Sequence, residues 1–161
     1  MHHLRLSLPL AALLGSGAFD QSLDSLPATN QKVLAFADAH MGQRVGTGEC
    51  WDLAAEALNY ADATWNGRDQ FGRVLDLEAE PVLPGDIIQF EGVETRMRTA
   101  TKETRERMGH HTAIVHALIG PGRYMLAHQN FGPQGRKVGL TEFNSHNVVS
   151  GTCTYFRPVG Q

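Results

Sequence analysis

Gly46-Thr47-Gly48-Glu49-Cys50-Trp51 is a glycine turn that delivers a cysteine into the first turn of a helix. Downstream of it Leu53, Ala54, Ala57, Leu58 and Ala61 recur at helical spacing, which predicts an amphipathic helix over residues 49–63. The start of a helix leaves backbone N–H groups unpaired and carries the positive end of the macrodipole, so it favours an anion. A thiolate is such an anion, and helix N-termini are a usual place for a lowered thiol pKa. The same N–H groups are suited to receive an oxyanion during acyl transfer. Position alone leaves three readings of Cys50 open: a nucleophile, a buried inert thiol, or one half of a bridge to Cys153, the other cysteine of the chain.

Upstream, residues 22–29 form a polar connector with Pro27, and Asn30 is a candidate cap for a helix over residues 30–41. Val33, Leu34, Ala37 and Met41 share one face of that helix, and Gly42 ends it. Residues 65–72 read as a loop with Asn66-Gly67 as punctuation. Beyond it the pattern changes to strands. A Pro84-Gly85-Asp86 turn precedes the apolar run 87–90, and further strands are expected at 111–118, 123–128, 137–140 and 151–157. Gly120-Pro121-Gly122 joins the second of these to the third. Helices first and antiparallel strands later, linked by short turns, define an α+β class. We expect one domain over residues 21–161.

The bulk numbers agree with a globular chain. Of 161 residues, 42% are hydrophobic and 19% charged, which is neither a disordered nor a fibrous composition. A net charge of -3 gives no general attraction to nucleic acid or anionic lipid. Residues 94–107 are the local exception, with five basic and three acidic side chains. They read as a solvated insertion or short helix, or else as a substrate-facing flap carrying Arg96, Arg98, Arg105 or Arg107. Two cysteines are too few for a disulfide scaffold or a tetrathiolate zinc site. Residues 1–20 have the outline of a secretion signal: His2, His3 and Arg5, an apolar stretch at 6–14, then Ser16 and Ala18 at a cleavage position. The alternative is a native N-terminal segment packed on the domain. The apolar stretch is too short to span a bilayer, so membrane insertion is not expected, and an extracellular monomer is.

His111 opens the strand His111-Thr112-Ala113-Ile114-Val115. Alternation places His111, Ala113 and Val115 on one face, and small Ala113 leaves room beside the ring for a neighbouring helix end. His110 points to the opposite face, so the two histidines diverge and a zinc pair is not expected. A third group is needed to orient the imidazole, and His128-Gln129-Asn130, at the end of the next strand, supplies candidates: His128 and Asn130 share a face. By residue type alone, a lone histidine such as His111 is more often structural than catalytic, and polar residues at strand ends such as His128 and Asn130 are common.

Taken together these residues resemble a known superfamily. Gly48-Glu49-Cys50-Trp51 is similar to the Gly-Gln-Cys-aromatic signature of CHAP domains, and Pro84-Gly85-Asp86-Ile87 to the turn shared by CHAP and NlpC/P60 domains. His111-Thr112-Ala113-Ile114-Val115 resembles the run that carries their catalytic histidine, and His128-Gln129-Asn130 their Glu-Gln-Asn segment. The four anchors occur in family order and cover residues 30–158. The resemblance implies a papain-like fold, with N-terminal helices packed on a small antiparallel sheet or half-barrel. It implies Cys50 as nucleophile, His111 as base and acid, and His128 or Asn130 as the third member, with no cofactor and no metal. NlpC/P60 enzymes place a second histidine at the third position; CHAP domains place a Glu there and an Asn two residues on. Such families mostly cleave amide bonds in cell-wall peptides, which makes a peptide or peptidoglycan-like substrate the expectation.

Two departures stand out. Glu49 replaces the usual Gln, and a carboxylate beside a thiolate opposes its ionisation. The insertion at 94–109 is longer and more charged than the family pattern, as if to cap a cleft. The rival readings are a non-catalytic binding module on the same fold and a thiol acyltransferase or deamidase acting on proteins. Trp51 and Trp65 are candidates to line a cleft or to be buried structurally, and His40, His116 and His146 carry no assigned role.

Overall fold

The computed structural model describes residues 25–161, so the segment read as a signal or N-terminal arm lies outside the described residues. Helices α1 (Ala28–Ala39) and α2 (Cys50–Tyr60) come first. Strands follow: β1 (Ala63–Thr64), β2 (Arg73–Val74), β3 (Ile87–Arg98), β4 (Glu103–Gly120), β5 (Arg123–His128), β6 (Gly139–Asn144), β7 (Val148–Arg157) and β8 (Val159–Gly160). Six of them form an antiparallel sheet in the order β2-β7-β3-β4-β5-β6, and β1 pairs with β8 in a small second sheet. This is the α+β class expected from the order of helical and strand patterns.

The main sheet is buried on both faces, which is why its central strands read as unbroken apolar runs. On one face Ile87, Ile114, Ala127 and Phe156 meet Val33, Ala37, Leu53, Ala57 and Leu58 of the two helices. On the other, Ile88, Phe90, Ala113, Val115, Leu126, Phe143 and Tyr155 pack together. Each fully buried Ile, Leu or Phe stabilises the fold by about 1.5–3 kcal/mol, so these two layers hold the sheet that positions the site.

Asn30 is a correction. The helix begins at Ala28 with Pro27 before it, and Asn30 sits fully buried inside the first turn instead of capping it. Its Nδ2 donates to Pro84 O and Asp86 Oδ1, both at 2.9 Å. The Pro84-Gly85-Asp86 turn thereby locks α1 to the sheet. Gly85 has φ +88°, and a Cβ there would lie 2.6 Å from Asn30 O, so both backbone conformation and space require glycine. Buried Asp86 also receives Arg157 through Nε at 3.1 Å and Nη2 at 2.9 Å, one on each carboxylate oxygen.

The charged insertion is a second correction. It is solvated but is no short helix: β3 and β4 run on past the core as a two-stranded ribbon, paired from Val93↔Met108 to Arg98↔Glu103. Alternation gathers Glu94, Arg96, Arg98, Glu103, Arg105 and Arg107 on one face, where Glu94 pairs with Arg105 and Arg107, and Glu103 with Arg98 and Arg105. Cross-strand charge pairs of this kind make a polar sequence a workable ribbon. The strand expected at 137–140 starts later, at Gly139, because Val138 bridges to Met41 instead. The second helix ends at Tyr60, and Asp62 turns the chain with φ +52° into β1.

Candidate active site

Cys50 is the first residue of α2, and Glu49 precedes it in extended conformation. The turn ahead of it is held by Asp52, whose Oδ2 accepts from Thr47 N at 2.8 Å, Thr47 Oγ1 at 2.6 Å and Glu49 N at 3.2 Å. Burial opposes ionisation of Asp52, but these donors together hold its carboxyl below the usual range. Gly48 has φ +90°, and a Cβ there would lie 2.8 Å from Arg136 Cβ, so the loop after β5 packs directly on the turn. Gln129, fully buried, ties the same two segments: its Oε1 accepts from Val45 N at 3.1 Å, and its Nε2 donates to Val45 O and Glu49 O at 2.9 and 2.8 Å.

The strand geometry explains what meets the thiol. Val115 exchanges hydrogen bonds with the Gly85-Asp86 turn that leads into β3, so by alternation Thr112 N–H points the other way, toward β5. The β4–β5 ladder has its last pair at Ile114↔Ala127, leaving Thr112 N–H beyond it. That N–H is directed at Cys50, with those of Trp51 and Cys50 itself. Burial dominates and raises the thiol pKa; the three N–H groups pull it down, and the charge of Glu49 pushes it up. The thiol therefore rests protonated.

His111 lies opposite Phe90 across the β3–β4 ladder, 5% exposed, and His128 is 2% exposed. His111 Nε2 and His128 Nδ1 are 2.7 Å apart, and His128 Nε2 and Thr141 Oγ1 are 2.6 Å apart. Thr141 pairs with Leu126 on β6, the diagonal neighbour of His128 on the same face. Phe131 closes over both rings, with centroids at 5.1 Å from His111 and 4.9 Å from His128. Burial is the main cause of the depressed imidazole pKa values, which fall to about 4 for His111, helped by His110, and to about 3 for His128, helped by His111. Both rings are neutral near pH 7. If the proton between them belongs to His111 Nε2, then His128 Nε2–H donates to Thr141 and His111 Nδ1 keeps a free lone pair.

Of the four residues singled out, the structure pairs His111 with His128 against Phe90 and Phe131, on the sheet face of Ala113 and Val115, while the Cys50 thiol meets the backbone N–H of Thr112, the residue after His111. Asn130 does not join the pair. A left-handed backbone, φ +57°, turns it out of strand alternation, and its Nδ2 donates to Glu49 Oε2 at 2.7 Å. His110 lies on the other face, as alternation requires, beside Glu91 at 2.8 Å. Both cysteines are free thiols, so the bridge reading of Cys50 is excluded.

A family model described as the AIM3/BBC1 cysteine proteinase-fold domain matches residues 27–161. The chain belongs to this family. The match gives the cysteine proteinase fold expected from the four sequence anchors, at a coarser level than CHAP or NlpC/P60. The chain is also similar to Altered inheritance of mitochondria protein 3 of Debaryomyces hansenii, 25% identical in an alignment 160 residues long that covers 86% of this chain and 17% of that protein. It thus spans less than a fifth of the length of that relative. Two solved structures are similar at a TM-score of 0.49: the crystal structure of Ly7917, at 21% identity over 79% of this chain and 62% of that one, and the crystal structure of Ly7917 with the hydrolyzing product of MDP, at 19% identity over 80% and 62%.

Within this family domain, sequence reasoning had no hold on Thr141, Phe131 or Arg136. Thr141 reaches His128 only through the β5–β6 register, and Phe131 and Arg136 only through a loop path. Gln129 stood inside the quoted His128-Gln129-Asn130 segment, and its full burial was the missing signal. Trp51 and Trp65 are half-buried against the helix-side core, their ring centroids 5.6 Å apart, with Trp51 Nε1 donating to Arg68 O at 2.5 Å.

Proposed function

We propose that this domain is a thiol-dependent hydrolase of peptide-like amides, with Cys50 the nucleophile, His111 the general base and acid, and His128 the ring that holds His111. Two observations support the proposal: the buried chain Thr141–His128–His111, and a thiol at a helix N-terminus that meets the backbone N–H of Thr112, next in sequence to His111. A ring fixed through Nε2 presents one lone pair at Nδ1, which is what a base for the Cys50 proton requires. A thiol and an imidazole that both rest neutral suit transfer of that proton as the substrate arrives, instead of a standing ion pair. The resulting thiolate attacks the amide carbonyl, and the N–H groups at the start of α2 are placed for the oxyanion. His111 returns the proton to the leaving amine, and water, deprotonated by His111, then splits the thioester. Any exposed peptide amide fits this chemistry. The narrower form, a cell-wall peptide met outside the cell, is supported by the CHAP and NlpC/P60 resemblance.

Incubation of the protein with a defined peptide mixture, read by mass spectrometry, tests the proposal. Cys50→Ala is expected to abolish cleavage, and His111→Ala to lower turnover by about 10²–10⁴-fold. Cleavage that survives Cys50→Ala would sink it. The second reading, a binding module that retains the fold, is favoured by the burial and the Glu49 charge that keep the thiol protonated. It expects saturable peptide binding with no product and no thioester at Cys50.

A further inference from the structure

The side chain of Glu49 occupies a site built by other residues. Its Oε1 receives Arg136 Nη2 at 2.8 Å and its Oε2 receives Asn130 Nδ2 at 2.7 Å, so each carboxylate oxygen has one donor. Both donors belong to the loop after β5, and both stay in place without Glu49. Arg136 Nη1 is anchored to Thr47 O at 3.2 Å while its stem packs on Gly48. Asn130 is set by its left-handed backbone and by its N–H, which donates to Gly135 O at 2.6 Å. The occupant is the less constrained part. Glu49's side chain is 46% exposed and Arg136's 57%, and exposed ion pairs of this kind are weakly held. Glu49, the residue both donors hold, immediately precedes Cys50, so the pair sits at the start of the helix that carries the thiol.

We propose that Arg136 and Asn130 form a carboxylate receptor at the rim of the site, filled by Glu49 in the free protein and taken over by an acidic side chain or terminal carboxylate adjacent to the amide to be cleaved. This names the substrate class for the hydrolase reading and rests on it: peptides with Asp, Glu or a free carboxylate beside the scissile bond. Glu49 is then an internal placeholder. Its position next to Cys50 also accounts for a carboxylate at a place where it hinders the thiol.

Thiol labelling tests the receptor without requiring turnover. The rate of Cys50 modification by 3-maleimidopropionate is compared with that by neutral N-ethylmaleimide, with Cys50 resolved from Cys153 by peptide mapping. In wild type the receptor is filled, and the rate ratio serves as baseline. Glu49→Ala is expected to raise the ratio by about three- to fivefold, the factor an exposed ion pair supplies, and Arg136→Met added to it to return the ratio to baseline. Glu49→Gln offers the same comparison at smaller amplitude should Glu49→Ala not fold. A ratio unchanged by both Glu49 variants, or a rise that survives Arg136→Met, overturns the proposal. So does a Cys50 that neither reagent labels in the folded protein, since a rim receptor would then serve no open groove. Failure of peptide cleavage with the ratio change intact would instead strike the hydrolase reading alone.

Discussion

The two ends of the β3–β4 hairpin obey opposite electrostatics on one continuous ladder. At the base, Phe90 faces His111 across the sheet, both are buried, and the histidine is held neutral by desolvation. Eight residues along the same strands, Arg98 and Arg105 converge on exposed Glu103, whose carboxyl their hydrogen bonds hold down at about 2. Backbone pairing does not distinguish the two ends. Burial does: it removes charge where there is no water and permits it where there is.

The strongest way to test this contrast is at the buried end. Asp86→Ala takes from Arg157 its bonds to both carboxylate oxygens, leaving it Glu80 and Pro81 O, and takes from Asn30 Nδ2 one of its two acceptors. A hydrogen bond to a charged group contributes about 1.5–3 kcal/mol, and several are lost together, so the urea midpoint should fall sharply. A drop below about 1 kcal/mol would mean that the turn is held by packing alone.

Acidification should separate the two ends by pH window. His111 and His128 have folded pKa values of about 4 and 3, below the unfolded value of 6.5. As pH falls through about 6.5 the unfolded chain takes up protons that the folded chain refuses, so stability declines from there to about 4, by on the order of 3 kcal/mol for each ring. Above pH 7 these groups contribute no slope. His128→Leu should flatten part of that decline in urea titrations at stepped pH. Glu103, with its depressed folded pKa, acts lower: its contribution is present above the unfolded value of 4.5 and is lost as pH falls toward about 2. A decline confined below pH 4.5 would assign acid sensitivity to the ribbon and not to the histidine pair.

The smallest effect belongs to the ribbon's charges. Arg105→Ala removes contacts to Glu94 and Glu103 on an open face and should cost less than about 0.5 kcal/mol, vanishing in 1 M salt. A larger, salt-resistant loss in thermal denaturation would mean that Arg105 is buried in solution and not on an open face.

The helix that carries Cys50 and the histidine strands are legible in the sequence because periodicity is local. Leu53, Ala54, Ala57, Leu58 and Ala61 mark α2, and residues 123–128 match β5 as it stands. The strands of the solvated ribbon are not legible in the sequence, because a charged stretch of Glu, Thr and Arg has no apolar period to announce them; only cross-strand partners make it a ribbon. Asn30 was read as a cap because its residue type is a good cap, whereas its partners Pro84 and Asp86 lie more than fifty residues away. The third group was narrowed to His128 or Asn130, and strand alternation put both on one face; the left-handed turn at Asn130 broke that alternation.

By itself, then, the sequence determined the order of elements, the placing of Cys50 at a helix start and the face of the sheet on which His111 and His128 fall, since each depends on neighbours a few residues away. Tertiary structure alone decided that the two rings touch and are dry, that Thr141 and Phe131 complete their surroundings, and that Glu49 answers to Arg136 and Asn130. Those contacts join segments distant in the chain, and protonation state follows from what a side chain is buried against, which no local pattern records.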